Sequence, residues 1–402
     1  MAKLLVIDEQ KDARVPFLRG MLTRSLQDAG LDFTDAYRLA TDIRDELDDT
    51  EEITNSELRA RIIEVLAEYH PGKVLRRYRR ADLYRENLQV VYSDGHNAPF
   101  SRGIHARRLE NCSLPHNKCN TIARLIHSRL IRDKQRRITT DELTATTYRT
   151  ILKELNEEYA DYYLIWNDFI DSDRPLLVLL GGVPGTGKST VATELANGLG
   201  VVRTQSTDML REVMRILIPE RVSPPLHTSS FAAGGVVDSA DIYAGKDEEN
   251  LLYGFQRQAE LVEVACQAVL QRALNERVSM ILEGVHIRPS LLQHIAGDSV
   301  DAGDAVIVPF ILCVLNKDLL ISHIKGRRVK TQQRRAARYL EKIDDIWQLQ
   351  SALLSEADSA DIQILDNLDR EKTVSEIIKT ITLTIAATYT KRRLKAVKAR
   401  YA

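Results

Sequence analysis

Cysteine, tryptophan and net charge are all scarce in this chain of 402 residues: four Cys, two Trp and a formal charge of −1, with 56 Lys plus Arg against 57 Asp plus Glu. A charge so close to zero gives no global field to hold nucleic acid or an acidic membrane, so such binding would need a local patch. No run of about 18 apolar residues occurs, which excludes a helical membrane span. The opening MAKLLVIDEQ meets acidic residues after a short apolar run, so it does not read as a signal peptide. Cys112, Cys119, Cys266 and Cys313 form no C-x-x-C pair, and the first two flank His116 without a fourth ligand nearby. They read as small buried residues of a reduced, cytoplasmic protein. What is abundant is ordinary: 44% hydrophobic and 28% charged residues describe a globular chain, long enough for two or three domains.

The first 160 or so residues repeat themselves. Val15–Leu31 (VPFLRGMLTRSLQDAGL) aligns with Ala98–Leu114 (APFSRGIHARRLENCSL), and EEITNSEL aligns with RRITTDEL. The period, about 83–85 residues, is too long for a solenoid. Each copy opens on a strand-like segment, Leu4–Ile7 or Leu88–Val91, and continues at helical spacing. ITNSEL and ITTDEL both look like helix starts, a small polar cap followed by Glu.

The strongest motif comes next. Leu176–Leu180 is a continuous apolar run suited to a buried parallel strand, and Gly182-Val183-Pro184-Gly185-Thr186-Gly187-Lys188-Ser189 is a complete G-x-x-x-x-G-K-S. Val191–Leu199 then runs at helical spacing to Gly200. Glycines let backbone amides surround phosphates, and the helix adds its positive end. Gly182, Gly185, Thr186, Gly187, Lys188, Ser189 and Thr190 are the expected ATP-binding residues. Lys188 would reach the β- and γ-phosphates and Ser189 would ligate Mg²⁺.

Later segments choose among P-loop chemistries. Val201–Gln205 reads as a second strand ending at Ser206-Thr207-Asp208. A carboxylate there faces the ligand crevice, so Asp208 is a candidate acceptor base, the alternative being a helix N-cap. Arg211, one turn on, could clamp an anionic acceptor, with Arg215. Val278–Gly284 is another buried-strand pattern, and its Glu283 suits a Mg²⁺-holding acid. His286 reads as either a substrate contact or a loop hydrogen-bonder. The loop Pro224–Phe231 brings His227 and Ser229 as acceptor contacts. Asn250–Leu274 is a long helix pattern, and Ala305–Leu315 and Ile362–Asn367 are further strands. The basic cluster Lys325–Lys330 with Arg334, Arg335 and Arg338 admits three readings: a lid closing Arg327, Arg328 and Arg334 over the transferring phosphoryl group, a nucleic-acid patch, or a solvated face. Asn316-Lys317-Asp318 lacks the spacer of a guanine reader. The tail TKRRLKAVKARYA reads as a basic, frayed end.

Two resemblances follow from these residues. The repeated half resembles the ATP-cone, a nucleotide-sensing module, most clearly in VVYSDGHNAPF, Val90–Phe100. Tyr92 and Ser93 stand where that family usually places basic residues, and the first copy has no Asp-Gly. The repeats are therefore either regulatory or a packing and dimerisation module. From Leu176 to roughly Asp369, GGVPGTGKST, STDMLREVMR, LHTSSF, ILEGVHIRP and RRVKTQQRRAARYLEKIDDI together resemble the archaeal-type 2-phosphoglycerate kinases. The resemblance implies an α/β P-loop kinase whose parallel sheet is flanked by helices, using ATP and Mg²⁺. The expected division is 1–83 and 84–170, two mostly α-helical cone-like units, then a kinase domain at 171–402. The implied reaction moves the γ-phosphate onto the 3-hydroxyl of 2-phosphoglycerate. The alternatives are another phosphorylated acceptor such as an inositol phosphate, an RNA or polynucleotide end, or a non-catalytic ATP sensor. The expected partner is a small phosphorylated molecule, with no membrane or nucleic acid, in a possible homo-oligomer through the repeats.

Overall fold

The computed structural model describes residues 4–8, 13–48, 50–85, 88–133, 135–236, 247–289, 291, 304–326 and 330–401. They form two compact units, one of residues 1–100 with 128–140 and one of residues 101–127 with 141–402.

In the first unit, β1 (Leu5–Asp8) pairs antiparallel with β2 (Ala13–Pro16) and parallel with β3 (Glu52–Thr54). The same order recurs in β4 (Gln89–Val91), β5 (Asn97–Pro99) and β6 (Arg137–Thr139), with β4 central, antiparallel to β5 and parallel to β6. The internal repeat in the sequence is thus also a repeat of sheet topology. The strand β3 is an element that the sequence reading merged into the following helix. Ile53 is buried beneath it while Thr54 ends the strand and caps the helix Asn55–Tyr69. Glu57 N donates to Thr54 Oγ1 at 3.1 Å and Thr54 N donates to Glu57 Oε2 at 3.0 Å, the reciprocal capping expected from ITNSEL. Leu22, Leu26, Ala36, Leu39, Ile43 and Leu66 fill the core of this unit.

The second unit holds a five-stranded, all-parallel sheet: β7 (Leu176–Gly181), β8 (Arg203–Ser206), β9 (Met280–Gly284), β10 (Val306–Cys313) and β11 (Gln363–Asp366). Its order is β11-β10-β7-β9-β8. Every residue of β7 and β9 is buried, as apolar runs covered on both faces should be. Ligands of such sheets bind outside the carboxyl ends of the strands, where the order reverses. That end carries Gly181, Ser206, Glu283 and Cys313.

The basic tail is not frayed. Residues Lys391–Tyr401 form a helix with Val397 and Tyr401 buried, set against the acidic helix Glu157–Ile170. Lys398 Nζ meets Glu157 Oε1 at 2.8 Å and Asp161 Oδ1 at 2.7 Å, and Arg393 Nη2 meets Asp168 Oδ2 at 2.9 Å. Asp168 also accepts from the Tyr389 hydroxyl at 2.8 Å. Reading the tail alone missed this because its counter-charges lie more than 200 residues earlier.

Near the start of this unit, Asn111 Nδ2 donates to the Gly198 carbonyl at 2.6 Å, and the Asn111 carbonyl accepts from Thr382 Oγ1 at 3.1 Å. All four cysteines are buried, free thiols; burial pushes Cys119, Cys266 and Cys313 up to about 12 and Cys112 well above its ordinary value. His116 pairs instead with Glu110 at 2.8 Å. No described helix is long and apolar enough to cross a membrane.

Candidate active site

The phosphate loop leaves β7 and enters the helix Lys188–Leu199 through three glycines of positive φ, Gly182, Gly185 and Gly187. Gly187 shows why the motif demands glycine. Its φ is 85°, and a Cβ there would lie 2.5 Å from Asn367 Nδ2. Asn367, just past β11, donates that same Nδ2 to the Thr186 carbonyl at 2.8 Å, so the loop is braced by a residue 181 positions away. Thr186 turns its hydroxyl inward to the Val183 carbonyl at 2.9 Å. No side chain caps the first turn of the Lys188–Leu199 helix. Its amides and positive dipole end are those of an anion site.

Lys188 Nζ lies over the loop, 3.0 Å from the Val183 carbonyl. Ser189 Oγ donates to Glu283 Oε1 at 2.9 Å. Glu283 is 7% exposed and is the penultimate residue of the buried strand β9, beside Leu180 of β7 and Ser206 of β8. A hydroxyl and a carboxylate in contact below the phosphate loop are the hard oxygen donors that suit Mg²⁺.

The strand β8 ends opposite Glu283, and the chain turns directly into the helix Thr207–Leu217. Here Ser206, not Asp208, is the N-cap: its Oγ accepts from Asp208 N at 3.2 Å. This corrects the capping alternative for Asp208, whose carboxylate is exposed. His286 lies beneath this turn, 1% exposed, with Asp208, Arg211 and Lys188 all close enough to act on its charge. Burial dominates and holds its imidazole down at about 4, so the ring is neutral at pH 7. Its Nδ1 meets Thr207 Oγ1 at 2.8 Å and its Nε2 meets Gln258 Oε1 at 3.1 Å.

Of the remaining expected acceptor contacts, Arg211, His227 and Ser229 hold the loop 223–231 in place. Arg211 Nη1 donates to the carbonyls of Leu226, at 3.2 Å, and Thr228. Its buried Nε has no hydrogen-bond partner among the described residues. His227 Nε2 meets the Ile218 carbonyl at 2.8 Å, and Arg215 pairs with Glu212 at 3.0 Å. Ser229 Oγ accepts from Arg338 Nη2 at 2.8 Å, which joins the Lys330–Glu341 helix of the basic cluster to this loop. Arg327 and Arg328 lie outside the described residues, as does the Arg334 side chain. Asn316 caps the helix Lys317–Lys325 by accepting from Leu319 N at 2.9 Å, which accounts for the near miss to a guanine reader.

Sequence reasoning missed Thr207, Gln258, Arg338's partner and Asn367. For Gln258 a signal existed: it stands at helical spacing within the apolar stripe Leu251, Phe255, Val262, Cys266 and Leu270, where a polar residue needs an explanation. For Asn367 there was none, since its partner depends on how β11 lies beside β10.

The ATP cone domain model matches residues 88–172. Among solved structures, the chain is similar to a gluconokinase from Sinorhizobium meliloti (15% identity, 53% of this chain and 93% of that one, TM-score 0.29), a likeness too slight to carry any argument. Relatives in sequence are stronger. It is 35% identical to a 2-phosphoglycerate kinase of Thermococcus kodakarensis over 70% of this chain and 91% of that one. It is 32% identical to one of Pyrococcus furiosus over 73% and 93%, and 31% identical to one of Methanothermobacter thermautotrophicus over 71% and 91%. Through these relatives, and through a phosphate loop set against a buried strand-end acid, the chain belongs to the 2-phosphoglycerate kinase family.

Proposed function

We propose that this chain transfers the γ-phosphoryl group of ATP to the 3-hydroxyl of 2-phosphoglycerate, giving 2,3-bisphosphoglycerate and ADP. The observation that carries the reading is the 2.9 Å contact of Ser189 with Glu283, at the carboxyl end of the sheet beside the turn that bears Asp208. The names of the relatives supply the acceptor.

In the proposed mechanism the amides of Gly185–Ser189 and the Lys188 ammonium bind and orient the triphosphate. Ser189 and Glu283 would hold Mg²⁺, which when bound neutralises phosphate charge. Asp208 orients the acceptor hydroxyl and takes its proton as the new O–P bond forms and the bond to the ADP oxygen breaks. The buried Nε of Arg211 is a donor suited to the acceptor's phosphate or carboxylate. Ser229, His227, Arg215 and His286 complete the acceptor side, the first three by exchanging their present partners for substrate. Arg327 and Arg328 are the lid cations.

Incubation with Mg²⁺, γ-labelled ATP and a panel of 2-phosphoglycerate, 3-phosphoglycerate, glycerate, inositol phosphates and RNA ends tests the reading. Label on 2-phosphoglycerate alone is expected; label on any other acceptor in its place overturns the substrate. Binding of ATP with no labelled product would make the chain a sensor. The polynucleotide alternative loses the support of the tail, where Arg393, Lys398 and Arg400 face carboxylates.

We read residues 1–83 as a second cone-like module, 84–170 as the cone and 171–402 as the kinase, on the shared sheet order of the two repeats. In the cone turn, the Tyr92 ring stacks on His96 with centroids 4.2 Å apart, where the family's basic residues would stand. That favours a packing or assembly role, in a homo-oligomer, over nucleotide sensing. The four buried thiols suit the cytoplasm.

A further inference from the structure

We propose that Gln258 is a positioning residue of the kinase, setting both the acceptor loop 224–228 and the tautomer of His286. The inference rests on reading that loop as the acceptor side of the site.

Gln258 sits midway along the helix Asp247–Asn275 and is completely buried. Its Nε2 donates to two backbone carbonyls of the loop, Pro225 at 2.5 Å and Thr228 at 3.1 Å. Its Oε1 faces His286 Nε2 at 3.1 Å. The two carbonyls decide the orientation of the amide. Turned the other way, its oxygen would face two carbonyl oxygens and accept from neither, and neither carbonyl would receive a bond from it. With the oxygen held toward the imidazole, His286 must carry its hydrogen on Nε2. Nδ1 is then a bare acceptor, and the Thr207 hydroxyl donates to it at 2.8 Å.

The chain of bonds therefore runs one way: from Thr207 to His286, from His286 to Gln258, and from Gln258 to the loop. It joins four segments, those of Thr207, His286, Gln258 and the loop. One end is the first residue of the helix whose second residue is Asp208. Thr207 is itself seated tightly, since a Cβ on Gly284, where φ is 152°, would fall 1.8 Å from its Oγ1. The other end is the loop that Arg211 holds from the opposite side through the carbonyls of Leu226 and Thr228. Thr228 thus receives both Gln258 and Arg211, so the acceptor loop is fixed relative to Asp208 by one buried amide and one guanidinium. The phosphate loop makes no bond to Gln258 among those described. Gln258 consequently acts on the acceptor and leaves the nucleotide alone.

Steady-state kinetics of the full chain test this, with Gln258→Met, which keeps volume and removes every hydrogen bond, and Gln258→Glu, which keeps only the oxygen toward His286. The expected result is a KM for 2-phosphoglycerate raised tenfold or more in both variants. KM for ATP, and the Kd for ATP measured without acceptor, should stay within twofold. A KM for the acceptor within twofold of the native chain, or KM values that rise together for both substrates, overturns the proposal. A measurement that needs no variant stands beside it. In the native chain labelled with ¹⁵N-histidine, His286 should show the shifts of the Nε2–H tautomer, and the Nδ1–H tautomer would sink the argument whatever the acceptor proves to be. Should the native chain phosphorylate another compound and not 2-phosphoglycerate, the substrate reading fails and the same kinetic split is read on that compound.

Discussion

The two sides of the proposed active site are built by opposite means. The nucleotide side is one continuous stretch, Gly182–Ser189, and its working surface is backbone amide, with Lys188 and Ser189 as the only polar side chains in it that a phosphate or its metal needs. The proposed acceptor side is gathered from four stretches, the helix of Thr207 and Arg211, the loop at Pro225, and the surroundings of Gln258 and His286, and its working parts are side chains. A backbone cradle depends on conformation, which glycines secure. An assembled surface depends on every buried hydrogen bond being satisfied at once, so the loss of one partner leaves others stranded. The first kind of site tolerates change in its surroundings and the second does not.

The sharpest break of that contrast is Lys188→Ala, which removes the one cation of the loop. Turnover should fall by about a thousandfold, of the order of 4 kcal/mol of transition-state stabilisation. Native kcat in that variant would remove the nucleotide side from the mechanism altogether.

Acid should expose the other side next. Burial holds His286 at about 4 against an ordinary 6.5, and His105, buried near Arg108, is held at about 4 in the same way. The unfolded chain takes up these protons first, so stability is complete above pH 6.5 and is lost as pH falls from 6.5 toward 4. For His286 the loss is about 3 kcal/mol at most. Denaturant unfolding across that range should show His286→Gln with a shallower slope than the native chain. Identical slopes would mean that the imidazole is not held neutral.

Away from the cleft, Arg393→Ala separates stability from chemistry. It leaves Asp168 with fewer donors and should cost about 1–2 kcal/mol of unfolding free energy. Both KM values should stay unchanged, and a shift in either would implicate the C-terminal helix in the site. Smallest is Ser206→Ala. It deletes the cap beneath Asp208, and about 1 kcal/mol of stability goes with it. If the acceptor side is as brittle as its construction suggests, KM for the acceptor moves with it while KM for ATP does not.

How much of this the sequence disclosed follows the same division. The loop, the strand before it and the helix after it were legible because one local spacing specifies all three. Glu283 was legible as the acid at the end of a buried apolar run. The bonds of Arg211 and His227 were not, because their partners are carbonyls that only the folded chain brings near. The tail misled for the same reason: cations without visible counter-ions look solvated. In β3 three residues serve as strand and cap together, too short for any periodicity to reveal.

One bond described above sets a boundary for anyone trimming this chain. The carbonyl of Gly198 belongs to the last turn of the helix whose first turn faces the nucleotide, and its partner is Asn111, within the stretch that matches the ATP cone. A fragment begun at residue 171 would keep every motif of a kinase and yet leave that carbonyl and the Thr382 hydroxyl without their outside partner. A fragment meant to keep both bonds has to begin upstream of Asn111.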